Sequence, residues 1–498
     1  MSADDPIYLD YAATTPLDPT VIEAMTHCLA HEGGPGNPAS LHAFGRRAAE
    51  RIEAARAEVA ALIGADTMDI VFTSGATESD NLAVLGVARA EAHRGRHVVS
   101  SRIEHKAALD PCRHLEKDGW AVSLLAPERN GRIAPGAVAA ALRPDTALVS
   151  IHWVSNEIGV IQDVAAIGSL CRERGILFHT DAAQAVGKLE IDVRSLPIDL
   201  MSFTAHKLYG PKGIGALYVH AQARARVQPL LFGGGQERGL RPGTLPTHQI
   251  VGFGTACALA RAALAAEAEH LSVLRERLWE QLRSIEGVHL NGAEAPRIPG
   301  ILNVSFEGVE GESLVTGLVE LAVSTGSACN SASGEPSYVL RALGRDSQLA
   351  QSSLRFSFGR FSTAADIDTA GAAVRREVKR LRGLSPAAES PGSAGETVDE
   401  VVGEAGGPGQ EVWIRFRLKI SEARVQGASY RVYGCPHTLA VAAWLAERLP
   451  GRSGADLIPG APAEWAEALD VPIEKLGRLL VLEDALGVCQ RRWSEVLV

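Results

Sequence analysis

Four stretches of this chain hold residues whose types and spacing suit covalent chemistry on an amine substrate. Lys207 lies in Ser202–Gly210, SFTAHKLYG, after the apolar run Asp199-Leu-Met-Ser-Phe and before the turn Gly210-Pro-Lys-Gly-Ile-Gly. A lysine at a rigid strand end, beside backbone that can approach a ligand closely, suits Schiff-base chemistry. Partial desolvation lowers its pKa and frees the amine as a nucleophile. A lone lysine beside a turn is more often a solvated side chain, so the reading rests on its neighbours.

Asp181 ends the run Ile176-Leu-Phe-His-Thr-Asp. A carboxylate at a buried strand end needs a cationic partner. A protonated pyridine nitrogen is one such partner, which keeps the ring an electron sink, and a structural salt bridge is another. The segment Ser74-Gly-Ala-Thr-Glu-Ser-Asp-Asn81 follows the apolar run Ile70–Thr73 and opens a helix. Gly75 allows a tight turn, and Ala76 and Thr77 offer N–H groups and a hydroxyl to an anion such as a phosphate. The same turn also serves as an ordinary helix cap. His105, in Ile103-Glu-His-Lys, is placed to stack on a flat ligand and carry protons, or to be a satisfied core histidine.

Two of the seven cysteines stand out. Cys329 sits in Ser324-Thr-Gly-Ser-Ala-Cys-Asn-Ser-Ala-Ser-Gly334, a stretch with almost no bulky side chain. Such a loop buries little and moves easily, as a nucleophile that visits two places must. Cys435 opens Gly434-Cys-Pro-His-Thr-Leu-Ala-Val, where helix N–H groups lower a thiol's pKa unless the turn is only a cap.

The elements that position these residues alternate strand and helix. Helical patterning runs over 40–63, closed by Gly64, and over 255–285. Between them fall the β-branched runs 70–73, 97–101, 146–151 and 175–180. This alternation predicts an α/β fold, a largely parallel sheet with helices on both faces, binding ligands beyond the strands' carboxyl ends. Strand and helix signals resume over 303–384, which predicts a second, smaller domain. Residues 385–410, rich in Pro, Gly, Ser and acid without Lys or Arg, read as a mobile linker of ~26 residues spanning roughly 28 Å. A compact tail follows.

At 498 residues, 46% apolar and 22% charged, the chain has the profile of a soluble globular protein of two to four domains. A net charge of −10 without a basic block argues against nucleic acid or an anionic membrane as partner. No uninterrupted apolar run reaches spanning length, and the N-terminus lacks signal architecture. An odd number of scattered cysteines points to a reducing compartment, and a cytoplasmic location is expected.

The order Gly75, His105, Asp181, Gln184, Lys207 is that of a pyridoxal-phosphate site, and residues 6–385 resemble the class V, fold-type I enzymes, specifically the NifS/IscS-type cysteine desulfurases. The matching pieces include YLDYAATTP, FTSGATESDN, EHKAALD, NEIGV, SFTAHKLYGPKGIGALY, RPGTLPTHQIVG, STGSACNSAS and SSLRFSFGR. The resemblance implies that Lys207 binds the cofactor covalently, His105 stacks on its ring, Asp181 pairs with its nitrogen and Gln184 contacts its hydroxyl. It places Ala76, Thr77, Thr204, Ala205 and His206 at the phosphate, with Thr244 reaching a second subunit's phosphate, hence a homodimer. Asn156 and Arg355 would hold the substrate L-cysteine, Arg355 as a fork for its carboxylate. Cys329 would take the sulfur as a persulfide and leave alanine, with Lys207 and His105 as proton carriers. The acceptor would then be a sulfur-acceptor or iron–sulfur scaffold protein. The implied domains are a desulfurase over 1–384 (large domain about 16–260, small domain from about 1–15 and 261–384), the linker 385–410 and a third domain over 411–498. A selenocysteine lyase is the alternative for the body.

The tail resembles the IscU-type iron–sulfur scaffold in EARVQGASYRVYGC, DVPIEKL and LEDAL, with SufE-type acceptors thought to share that α+β fold. Of three scaffold cysteines only Cys435 remains. The first is missing near Gly409, and the later His-Cys pair falls on Gly477 and Arg478. One cysteine does not hold a cluster conventionally, so a tethered sulfur acceptor through Cys435 fits these residues better than an assembly scaffold. The alternative is a docking or dimer-stabilising relic. Whether the tail takes a metal is left open by the residues.

Overall fold

The protein is described here by a computed structural model covering residues 5–32, 36–325, 336–384, 400–407 and 411–496. Its centre is a seven-stranded sheet with spatial order Ile70–Thr73, Gly215–Val219, Leu200–Thr204, Leu177–Asp181, Thr146–Ser150, His97–Ser101, Ala121–Leu125. Only Gly215–Val219 runs antiparallel to its neighbours; the other pairings are parallel. Six of the strands are buried at every residue, as a sheet covered on both faces requires. Alternation along the strands divides the side chains between two cores. Phe72, Val99, Val149, Phe178 and Met201 enter one, and Val71, Val98, Leu148, Leu177 and Leu200 the other.

The predicted helices form with shifted ends. Ala43–Ile63 begins three residues later than its pattern and stops at Gly64, whose φ of +68° is the left-handed cap that glycine favours. Thr247–Leu282 starts eight residues earlier than predicted. It is long and apolar enough, by length and composition, to cross a bilayer. Its Ile250, Phe253, Ala256 and Cys257 instead enter the first core. At Gly254 a Cβ would lie 2.6 Å from Ala55 Cα, so the backbones of these two helices meet almost directly.

The same helix carries Leu271, Leu274, Leu278 and Leu282 into a separate core with Leu302, Phe306, Leu354, Phe356 and Val374. That core lies under the three-stranded antiparallel sheet Ser353–Ser357, Ile301–Phe306, Val288–Leu290. The N-terminal strand Ile7–Tyr8 joins it by pairing parallel with Leu321–Ala322.

The tail has its own core and a three-stranded antiparallel sheet, Glu400–Gly407, Val412–Ser421, Arg424–Tyr433. This corrects the linker reading, because Glu400–Gly407 is a paired strand within it. Val401 is buried, and at Gly403 a Cβ would collide with Ala485 O and Cys489 Sγ of the helix Leu476–Val496. At Gly403 the glycine is required because the helix crosses the strand that closely. The tail rests on the second core's elements: Ser313 Oγ donates to Gly434 O (2.8 Å), Gln348 Nε2 to Tyr433 Oη (3.1 Å) and Lys475 Nζ to Glu312 (2.8 Å).

Candidate active site

At the carboxyl ends of the parallel strands lies a cavity of about 650 Å³. It gathers Ala76, Thr77, His105, Asn156, Asp181, Gln184, Thr204, His206, Lys207 and Arg355 from ten predicted positions that span 280 residues of sequence. Two predicted residues stay outside it. Ala205 is fully buried in the core and its N–H donates to Ile214 O, so it offers nothing to the cavity. Thr244 is exposed, away from its own chain's cavity. Cys329 lies outside the described residues.

Each cavity residue is held by a local device. Gly75 precedes the helix Ala76–Glu91 at φ 154° and ψ 176°, a conformation essentially restricted to glycine, and no atom lies within 3.8 Å of where its Cβ would be. The helix's first N–H groups therefore face an open concavity, which suits an anion. His105 caps the helix Lys106–Lys117, its Nδ1 accepting from Ala107 N (3.1 Å). His206 is pushed down to about 4 by burial and by the charge of Lys207, so it is neutral.

Lys207 extends from a single 3-10 turn after Leu200–Thr204, and its Nζ donates to Ala12 O (2.5 Å) and Ala13 O (2.7 Å). Gln184 is fixed at both ends: Nε2 donates to Ala12 O (2.9 Å), and Oε1 accepts from Lys188. Lys188, which sequence reasoning missed, is pushed down to about 7 by burial and then by Lys207. Its signal was available in Gln184-Ala-Val-Gly-Lys188, where i and i+4 side chains meet on one helical turn.

Asp181 accepts from Ala183 N (2.9 Å), while burial raises its pKa and the charges of His105 and His152 pull it back. Asp80, fully buried nearby, is raised well above the usual carboxylate range by burial together with the Asp181 charge. Arg355, 3% exposed, donates from Nη1 to Asn156 O (2.9 Å) and from Nη2 to Asp10 Oδ1 (2.7 Å). Its Nε–H is buried with no hydrogen-bond partner among the described residues. An unpartnered guanidinium N–H on a residue lining a cavity with an amine nucleophile suits a carboxylate.

The donor set fits pyridoxal phosphate. There is a helix N-terminus for a phosphate, a buried carboxylate at a strand end for a pyridinium nitrogen, and a lysine for the aldehyde. Among the described residues no group of His, Cys, Asp and Glu could hold a metal ion.

In the tail, Cys435 caps the helix Pro436–Arg448 with its side chain 0% exposed, and its Sγ lies 3.3 Å from Thr438 Oγ1. Arg478, close enough to Cys435 to be influenced by it, donates to Glu411 Oε2 (2.6 Å). The six described cysteines are all free and buried.

Residues 7–369 match the aminotransferase class-V family. The chain is 58% identical over 382 residues to "Cysteine desulfurase IscS" of Pectobacterium atrosepticum, covering 76% of this chain and 95% of that protein. It is 57% identical over the same length, with the same coverage, to the protein of that name from Escherichia coli. Among solved structures, a "NifS-like protein" superposes with a TM-score of 0.69 at 33% identity, over 76% of this chain and 99% of that one. "SspA in complex with cysteine" gives 0.64 at 38%, over 72% and 99%. These matches leave the tail uncovered. The chain thus belongs to the class V aminotransferase family, and within it to the pyridoxal-phosphate-dependent cysteine desulfurases of the NifS/IscS type.

Proposed function

We propose that the chain converts L-cysteine to L-alanine and carries the released sulfur as a persulfide on Cys329 for iron–sulfur cluster assembly or a related synthesis. The single observation that carries this reading is the unpartnered Arg355 Nε–H in the cavity that holds Lys207, Asp181 and His105. Bound pyridoxal phosphate supplies an electron sink for the substrate's Cα–H electrons. Lys207 binds that group and then moves protons at Cα, and His105 covers the ring face. Asp181 holds the ring nitrogen, and Gln184, turned by Lys188, offers its remaining amide hydrogen to the ring hydroxyl. Arg355 and Asn156 orient the amino acid. The Cys329 thiolate attacks the substrate sulfur, forming the S–S bond as the C–S bond breaks.

Ser324, five residues before Cys329 in sequence, is paired with the strand of Arg355 (Arg355 N to Ser324 O, 2.7 Å). A homodimer sharing its sites fits the exposure of Thr244 together with Phe232 (84% exposed) and Leu231 nearby, since such apolar surface marks contacts. A reducing compartment, and with it the cytoplasm, fits the free cysteines.

For the tail, the burial of Cys435 beside the Ser313–Gly434 contact favours a docked structural module over a sulfur relay. A scaffold-like ancestry is supported by the meeting of Cys435, Arg478 and Glu411, since two of those lie at or next to positions of missing scaffold cysteines. There an ion pair stands in place of cluster ligands. One experiment addresses both parts: incubation with L-cysteine, then mapping of persulfides by mass spectrometry. A label on Cys329 and none on Cys435 is expected. No label on Cys329 would remove the catalytic reading, and a label on Cys435 would restore the relay.

A further inference from the structure

Behind Asp181 the sequence reading assigned nothing to Glu104 or His152, yet the structure makes them a pair. Glu104 is fully buried and His152 nearly so. Glu104 Oε2 accepts from His152 N (2.7 Å) and faces His152 Nδ1 at 3.2 Å, and Oε1 accepts from Ser101 Oγ (2.5 Å). The imidazole is therefore turned by Glu104 so that Nδ1 carries a proton. The other nitrogen, Nε2, is buried and has no hydrogen-bond partner among the described residues. The ring lines the same cavity as Asp181. A buried nitrogen left without a partner is costly unless something is bound there or is brought there.

We propose that His152, held as an imidazolium by Glu104, is a positioning residue that presents Nε2–H to the Asp181 side of the cofactor ring and keeps that carboxylate ionised. The electrostatics agree. The Glu104 charge raises His152 against the effect of its burial, and the charges of His105 and His152 pull Asp181 down against its burial and the Glu104 charge. Of the other acids near Asp181, Asp80 is raised well above the usual carboxylate range by burial and the Asp181 charge, which weakens its claim on the positive charge. His179, on the strand ending at Asp181, is pushed by burial to about 3 and adds no charge. His152 thus joins His105 in drawing a buried Asp181 toward its ionised form, and Glu104 is what keeps His152 charged.

This inference rests on Asp181 pairing with the ring nitrogen. If His152 sustains that pairing, losing its charge lets the ring nitrogen lose its proton, and the nitrogen joining Lys207 to the cofactor becomes more basic. The test is a pH titration of the holoenzyme's cofactor absorbance band, with cofactor affinity measured separately by dialysis. His152→Phe and Glu104→Gln are each expected to move the inflection upward by about one pH unit and to weaken cofactor binding about tenfold. The double variant should do no more than either alone, because the two act as one unit. His152→Gln, which keeps an N–H near the Nε2 position, should recover part of the affinity but not the inflection, and it stands in if His152→Phe fails to fold. An inflection unmoved or lowered in these variants overturns the proposal. Asp181→Asn serves as the reference: if it leaves the band unmoved, the pairing of Asp181 with the ring is what fails.

Discussion

Arg355 Nη2 donates to Asp10 Oδ1 at 2.7 Å, tying the proposed substrate arginine to the N-terminal segment 345 residues away. Among the described residues, the guanidinium donates to Asp10 and to Asn156 O. The buried Nε–H has no partner among them. A charge-assisted bond of this kind is worth about 1.5–3 kcal/mol. Asp10→Ala should therefore raise KM for L-cysteine roughly tenfold, at 1.4 kcal/mol per decade, while kcat changes less. Steady-state kinetics decide it; an unchanged KM would mean the pair is structural only.

Lys188 makes stability depend on pH. Its folded value, about 7, lies below the ordinary 10.5, so between those values the folded state holds fewer protons than the unfolded one and stability rises with pH. Below pH 7 the burden of a charged, confined amine is fully present. Lys188→Met should therefore be more stable than the parent at pH 6, by about 1–2 kcal/mol after allowing for solvent screening and the lost bond to Gln184. The advantage should shrink toward pH 10.5. Thermal unfolding at pH 6, 8 and 10 measures this, and a gap that widens with pH would contradict it.

The strand leading into the Gly75 turn hangs on a buried ion pair. Arg56 donates from both terminal nitrogens to Glu237, each at 2.7 Å, and Glu237 also accepts from Phe72 N at 2.7 Å. The guanidinium lies over the Phe72 ring, 4.5 Å from its centroid. Removing one partner of such a pair strands the other charge in the core and costs about 3–5 kcal/mol. Glu237→Ala should show that loss in denaturant unfolding and bind the cofactor more weakly. Normal stability would show that the pair is dispensable.

The tail's seating depends on Ser313 Oγ donating to Gly434 O, next to the buried Cys435. Ser313→Ala forfeits about 1 kcal/mol there. Thiol labelling of Cys435 in the native protein should speed up about fivefold if exposure requires the tail to lift, while desulfurase turnover stays at the parent level. Equal labelling rates would place the seam elsewhere.

Much of the site was legible because each catalytic group sits in a local pattern set by chemistry. A lysine after an apolar strand, a carboxylate ending another and Gly75 before a helix are arrangements that a few neighbouring residues specify. Strand centres were legible for the same reason, since buried β-branched runs leave a continuous apolar signature; helix ends were less so. The strand Glu400–Gly407 misled because its Gly403 answers to a helix that packs on it, Leu476–Val496, far along the chain.

The sequence by itself determined the cofactor class, the candidate anchoring lysine and the family resemblance, because those are written in short contiguous motifs. Only the tertiary structure decided what surrounds them. It set Asp10 on Arg355, Lys188 on Gln184, and Glu104 on His152 behind Asp181. It also buried Cys435, whose motif alone read as a reactive thiol. The physical reason is that a group's charge and access are properties of its whole neighbourhood, and parallel strands bring that neighbourhood together from segments hundreds of residues apart.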